Sequence, residues 1–262
     1  MTIIYPSPIF GPVKSRRLGT SLGINVMPGD GKLCSFDCVY CECGLNCDHR
    51  TKSPLPTPEE VRSRLEQTLE HMKSNGEKPD VLTFSGNGEP TLHPKFNIIA
   101  DIVLELRDKY FPQAKVTVLS NSTQLHRPEV REALMKVDNA LMKLDTVSER
   151  YIQLVDRPAG HYDLNDIIGR LASMEGRPII QTMFMKGSII NGQGNTVSVD
   201  NCKDEYVLPY IDALKKIKPR QVMIYTLDRE WPVHGLEKAD HDTMDRIGEQ
   251  IRSAGFETQV SY

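Results

Sequence analysis

Apolar positions in this chain alternate between short continuous runs and longer stripes at helical spacing. "TPEEVRSRLEQTLEHM" sets Val61, Leu65, Leu69 and Met72 on one helical face. Its start is marked by Thr57 as N-cap, Pro58 at the first helical position and Glu60 three residues after the cap. "DVLTF" then reads as a short buried strand, closed by the glycines of "SGNGEP". The next helix begins near Pro94 and carries Phe96, Ile99, Val103 and Leu106 on its stripe. The rhythm continues with strand "KVTVLSN", helix "RPEVREALMKV", strand "NALMKLD", helix "DLNDIIGRLASM", strand "PIIQTMFM", helix "EYVLPYIDALKKI" and strand "QVMIYTL". A last helix holds Met244, Ile247 and Ile251, and "FETQV" reads as a terminal strand. With "LGINV" near the start, six or seven strands alternate with helices, which predicts an α/β fold on a parallel sheet with helices outside. No linker, low-complexity stretch or repeat divides residues 1–262, so they read as a single domain, with 1–20 as an N-terminal extension and 27–56 as a loop.

The strand ends add shape. In "ALMKLD", Ala140, Met142 and Leu144 point one way and Leu141, Lys143 and Asp145 the other. A doubly wound strand is apolar on both faces, whereas here one face turns polar toward the C-terminal end, where parallel α/β folds bind ligands. "KVTVLSN" likewise ends in Ser120 and Asn121, and "PIIQTM" carries Gln181. Three polar strand ends predict a barrel-like arrangement with a ligand at its mouth.

Composition narrows the partners. The 262 residues are 39% hydrophobic and 26% charged, with 32 basic against 35 acidic side chains and a net charge of −3. There is no overall basic field, so charge does not favour nucleic acid. No apolar run approaches the ~20 residues that span a bilayer, and "MTIIYPSPIF" lacks the basic and apolar regions of a signal peptide. The expected location is cytoplasmic, where thiols stay reduced.

That expectation bears on "CSFDCVYCECGLNC", which gathers five of the six cysteines between Cys34 and Cys47. Clustered cysteines in a reducing compartment point to metal rather than disulfides. Cys34, Cys38 and Cys41 are spaced C-x3-C-x2-C, not as the two separated C-x2-C pairs of a four-cysteine zinc site. A fourth zinc ligand from Cys43, Cys47 or His49 would have to close a tetrahedron within one short loop. Three thiolates around a four-iron cubane instead leave one iron open to a small molecule.

This loop, with aromatic Tyr40 before its last cysteine, resembles the signature of the radical S-adenosylmethionine (radical SAM) superfamily. "FSGNGEPTLHP" is similar to that family's glycine-glycine-glutamate-proline segment, aligned at Gly88, Glu89 and Pro90, with Asn87 as a departure between two glycines. A carboxylate there receives the ammonium of SAM. "FGPVKSRRLGTSLGIN", "CSFDCVYC", "MKLD", "QTMFMKG" and "IYTLDR" follow one another as in a wybutosine-synthesis-like branch. The resemblance implies a partial (β/α)6 barrel with a [4Fe-4S] cluster on Cys34, Cys38 and Cys41 at its C-terminal mouth. It places SAM against Tyr40, Gly88 and Glu89. Ser120, Asn121, Lys143 and Asp145 would contact its carboxylate or ribose, and Gln181 and Tyr225 its sugar or adenine.

The activity so implied is reductive cleavage of SAM, fed by a flavodoxin- or ferredoxin-type donor, followed by hydrogen abstraction from an unidentified substrate. Within enzymes, modification of a tRNA base and activation of a glycyl-radical enzyme stay open. The rival from another class is a non-catalytic zinc or electron-transfer iron–sulfur protein. Cys43, Cys47 and Cys202 are left over, as ligands of a second cluster, small apolar fillers or reactive thiols. Arg16 and Arg17 are read as a clamp for an anionic substrate group or a solvated basic pair. "DRPAG" from Asp156 ends a helix at its proline, and "NGQGN" from Asn191 is a flexible loop placed to act as a lid.

Overall fold

The computed structural model describes every residue except Met1 and Arg16. Eight strands form one sheet in the order β1-β2-β3-β4-β5-β6-β9-β11. They are β1 (Ile9–Ser15), β2 (Gly19–Ile24), β3 (Val81–Phe84), β4 (Lys115–Ser120), β5 (Asn139–Lys143), β6 (Pro178–Met183), β9 (Gln221–Tyr225) and β11 (Thr258–Ser261). The seven from β2 to β11 run parallel, and β1 is antiparallel to β2. The sheet curls into a half-barrel. A second, three-stranded sheet joins β7 (Met185–Ile190), β8 (Thr196–Ser198) and β10 (Leu236–Lys238).

Helices α1 (Pro58–Ser74), α2 (Phe96–Tyr110), α3 (Pro128–Lys136), the single-turn α4 (Glu149–Tyr151), α5 (Leu164–Ala172), α6 (Asp204–Ile217) and α7 (His241–Ser253) connect the strands. The predicted capping box of α1 is formed: the Glu60 amide donates to Thr57 Oγ1 at 3.2 Å and the Thr57 amide to Glu60 Oε2 at 2.6 Å. Val61, Leu65, Leu69 and Met72 are buried, each contributing roughly 1.5–3 kcal/mol of apolar transfer.

The alternation of β5 holds. Ala140, Met142 and Leu144 join the main core under the helices, while Leu141 packs inside the curl with Ile179, Met223 and Leu119. The polar strand ends therefore open at one mouth.

Two segments differ from their sequence reading, and a third ends a helix as read but turns a side chain inward. Residues 9–15, within the expected extension, form β1, an edge strand whose pattern is hidden by Gly11 and Pro12; proline is tolerated at an edge because no ladder partner needs its missing N–H. Arg17 therefore lies in the β1–β2 turn, and Arg16 falls outside the described residues. The "NGQGN" stretch is the exposed turn of the β7–β8 hairpin rather than an open loop, with Asn191 Oδ1 accepting from the Gln193 and Asn195 amides. "DRPAG" ends a π turn, Ile152–Asp156, in which Asp156 is turned inward and buried.

Candidate active site

The cysteine loop leaves β2 and returns to α1 across the mouth of the half-barrel. Its return leg is held by Asp30, whose carboxylate accepts from Thr51 Oγ1 at 2.7 Å and from the Lys52 and Ser53 amides at 3.0 Å each. Its centre is docked onto the "GNGEP" turn: the Leu33 amide donates to the Asn87 carbonyl at 2.9 Å, and the Glu89 amide to the Leu33 carbonyl at 3.1 Å. Gly88 sits at φ +138°, and a Cβ there would lie 1.8 Å from the Leu33 carbonyl oxygen. This glycine is demanded by the backbone of the cysteine loop itself. Gly88→Ala is expected to lower stability by about 3 kcal/mol through strain and overpacking, read as a shift in the denaturant midpoint; an unchanged midpoint would show that the loop is not docked this way.

Asn87, the departure between the glycines, is fully buried. Its Nδ2 donates to the Tyr5 and Pro28 carbonyls at 2.8 Å and its Oδ1 accepts from the Tyr5 amide at 2.8 Å. It clamps the N-terminal segment to the loop.

Lys32 lies in the electrostatic field of all three motif thiols. This lysine is buried, donates to the Gly44 carbonyl at 2.7 Å and lies 3.6 Å from Asp37. Burial pushes the Cys34 thiol up to about 12, with Glu89 adding to the rise, and burial raises Cys38 well above its ordinary value. Cys41 is instead lowered to about 6 by the neighbouring Cys43 thiol, with Lys32 helping against burial. Cys34 Sγ also accepts from the Phe36 amide at 3.4 Å and from Asn121 Nδ2 at 3.6 Å. A buried cation and N–H donors aimed at sulfur are what a thiolate-held cluster requires, because its net charge and the hydrogen bonds to its sulfurs must be balanced in a desolvated site. The donor set fits a [4Fe-4S] cluster.

Glu89 is buried beside Cys34 and accepts from the Asn121 amide at 2.6 Å, Ser120 Oγ at 2.9 Å, the Thr91 amide at 3.1 Å and the Thr91 hydroxyl. Burial raises its carboxyl although these donors oppose the rise. Glu89, Ser120 and Asn121 are thus one hydrogen-bonded unit.

A second unit stands beside Cys38. Lys143 Nζ contacts Tyr40 Oη and Asp145 Oδ2 and lies 2.8 Å from Asp156 Oδ1. Asp145 also accepts from the Met183 amide at 2.9 Å and from the Tyr40 hydroxyl. Cys38 Sγ stands 3.9 Å from Asp156 Oδ1. Burial opposes the charge on Lys143, yet Asp145 and Asp156 hold it well above the ordinary lysine range. Burial, with Asp145 alongside, pushes the Asp156 carboxyl up to about 7 despite Lys143.

Next to these units is a cavity of about 360 Å³ lined by Tyr40, Cys41, Gly86, Gln181 and Tyr225 together with the β1–β2 turn. Of the sequence-predicted residues, Cys34, Glu89, Ser120 and Asn121 meet in the first unit, Cys38, Tyr40, Lys143 and Asp145 in the second, and Gln181 and Tyr225 on the cavity wall. Lys32 and Asp156 were missed. The only trace of Lys32 is a cation two residues before Cys34, and the proline after Asp156 drew attention to a helix end instead.

The leftover cysteines do not assemble. Cys43 is buried and donates to the Gly86 carbonyl at 3.2 Å, Cys47 is exposed beside Asp48, and Cys202 is buried against the Met185 carbonyl. Among the described residues no three Cys, His, Asp or Glu side chains, the motif thiols included, converge on a single metal ion; in a cubane each thiolate would hold a separate iron. None of the described helices is long and apolar enough to cross a membrane.

Residues 30–188 match the family model described as the radical SAM superfamily. A UPF0026 protein of Helicobacter pylori is 31% identical over 228 residues, covering 84% of this chain and 66% of its own length. A UPF0026 protein of Methanocaldococcus jannaschii is 33% identical over 222 residues, covering 83% of this chain and 62% of its own length. The chain thus spans slightly under two thirds of the length of these curated relatives. Among solved structures, a radical SAM methyltransferase from Sphaerobacter thermophilus superposes with a TM-score of 0.65 at 13% identity, covering 92% of this chain and 65% of that one, which is a likeness of fold.

Proposed function

Because the chain belongs to the radical SAM superfamily, we propose that Cys34, Cys38 and Cys41 hold the family's [4Fe-4S] cluster and that the half-barrel presents SAM to it for hydrogen abstraction from a substrate. When bound, cluster and SAM supply one chemistry: an electron from a flavodoxin- or ferredoxin-type donor splits SAM into methionine and a 5'-deoxyadenosyl radical, which takes a hydrogen atom from the substrate. The chain's residues bind, orient and shield. Lys32 offsets the charge of the thiolates, and Asn121 donates to Cys34 Sγ. Glu89 is placed to receive the SAM ammonium, with Ser120, Asn121 and Thr91 holding its carboxylate in position. Lys143 and Asp145 are assigned to the carboxylate and ribose, with Tyr40 beside them.

The observation that carries this reading is a buried cation set in the field of all three motif thiols, next to two buried carboxylate units at strand ends. A non-catalytic metal protein would have no use for Glu89 and for the Lys143–Asp145 pair at that mouth. A reducing, cytoplasmic setting suits such a cluster. The oxidoreductase or lyase outcome depends on the substrate, and the tRNA suggested by the wybutosine-like resemblance is not favoured by a net charge of −3.

The test is anaerobic. Protein rebuilt with iron and sulfide to about four of each per chain receives SAM and dithionite, and 5'-deoxyadenosine is quantified by mass spectrometry. Formation of deoxyadenosine is expected. A fully loaded protein that binds SAM and yields none would overturn the reading.

A further inference from the structure

Two hydrogen-bond donors on residues that line the cavity beside Cys41 have nothing to donate to among the described residues. Arg17 Nη1 and Gln181 Nε2 are both buried from solvent and make no hydrogen bond among the described residues. Gln181 is only 8% exposed and comes from β6, inside the curl. Arg17 comes from the opposite side, the β1–β2 turn, and its guanidinium is stacked on the Tyr225 ring with 4.2 Å from Cζ to the centroid. The stack spans the open edge of the half-barrel, joining the β1–β2 turn to the end of β9, and fixes the plane of the guanidinium.

The rest of the lining says what an acceptor must carry. Phe10, Val13, Leu18 and Leu119 give the cavity apolar walls. The other described charges that line it, Lys14, Glu42, Asp228, Arg229 and Glu230, are partly or fully exposed at its rim, where Glu42 and Arg229 pair at 2.7 Å. Arg17 is half-buried, with its Nη1 the buried end. Of the residues assigned to SAM, Glu89, Ser120, Asn121, Lys143 and Asp145 do not line this space, whereas Tyr40, Gln181 and Tyr225 do, together with Cys41. The cavity adjoins the SAM site without containing its charged partners Glu89, Lys143 and Asp145.

We propose that this cavity is the substrate site and that it takes an organic acid with an apolar body, its carboxylate held by Arg17 and Gln181. One guanidinium and one amide N–H match the two oxygens of a carboxylate. A phosphate dianion would ask for more charge than a single arginine supplies. The assignment of this cavity as the substrate site rests on the radical SAM reading. It moves Gln181 and Tyr225 from the sugar or adenine of SAM to the substrate.

Saturation-transfer NMR on the anaerobically rebuilt protein tests it, with hexanoate, 1-hexanol and inorganic phosphate as probes and saturating SAM as competitor. Hexanoate is expected to bind at least tenfold more tightly than 1-hexanol and to stay bound when SAM is added. Arg17→Gln and Gln181→Leu are each expected to weaken hexanoate at least tenfold while leaving 1-hexanol unchanged. Should Arg17→Gln not fold, Arg17→Lys replaces it, keeping the charge but losing the planar fork, with the same direction expected. Absence of hexanoate binding, equal affinity for acid and alcohol, unchanged affinity in the variants, or tighter binding of phosphate each overturns the proposal. So does displacement by SAM, which would give the two donors to the carboxylate of SAM. The two readings fail separately: binding needs no electron, so a protein that binds hexanoate but forms no deoxyadenosine loses only the radical reading, and the converse loses only this one.

Discussion

Replacing Cys38 by alanine is expected to reduce deoxyadenosine formation to the background of a protein-free mixture and to cut cluster loading sharply, while Cys47→Ala changes neither. The two residues lie in one fourteen-residue stretch, so sequence proximity does not separate them. Their surroundings do. Cys38 is held at the barrel mouth beside Asp156 and in the field of Cys34, Cys41 and Lys143, whereas Cys47 is exposed and its thiol touches only Asp48. Cys43→Ala should fall between them. Its thiol is the largest influence lowering Cys41, so its loss removes a partner of a proposed cluster ligand rather than the ligand itself, and such losses typically weaken metal binding ~10–100-fold. The graded series is the diagnostic. Iron and sulfide analysis with the visible absorption of the rebuilt variants reads it directly, and equal losses in Cys38→Ala and Cys47→Ala would mean that the cysteine stretch holds its metal in some other way.

The cysteine stretch stands out in the sequence because the cluster ligation proposed for it imposes a spacing on a contiguous loop, and spacing is written in sequence. The strands and helices around it were legible for a related reason. Buried runs such as "DVLTF" and the capped stripe of α1 carry local signals that the tertiary fold reinforces. β1 was not, since Gly11 and Pro12 interrupt its alternation and its pairing with β2 supplies the structure that its own residues do not announce. Asp156 was hidden differently. Its role depends on a buried turn that brings it to Lys143, thirteen positions earlier in the chain, and no local pattern records a contact of that kind. Asn87 shows the opposite error. Read as an interruption of a glycine motif, it is the fully buried side chain that ties the N-terminal segment to the cysteine loop.

Lys143→Met is expected to destabilise the protein by about 3–5 kcal/mol, the cost of breaking a buried ion network by removing one partner. Asp145 and Asp156 have side chains only 1% and 3% exposed, and Lys143 is the cation between them. Without it, Asp145 keeps the Met183 amide and the Tyr40 hydroxyl, but Asp156 is left with the Cys38 thiol. The unpaired carboxyl is therefore mainly that of Asp156, which must hold a buried charge or take up a proton, and this predicts a specific rescue. In the double variant Lys143→Met/Asp156→Asn one carboxylate is gone together with the cation, and stability should recover by about 1–3 kcal/mol relative to Lys143→Met alone, a coupling of the size expected for groups in one network. Denaturant melts of the wild type, both single variants and the double variant complete the cycle. Additive effects would mean that Lys143 and Asp156 do not share a charge balance, and that the inward turn of Asp156 has another cause. Coupled effects would establish that the lysine assigned to SAM already serves two carboxylates in the resting protein, so that a ligand entering beside Tyr40 meets a charge network balanced before it arrives.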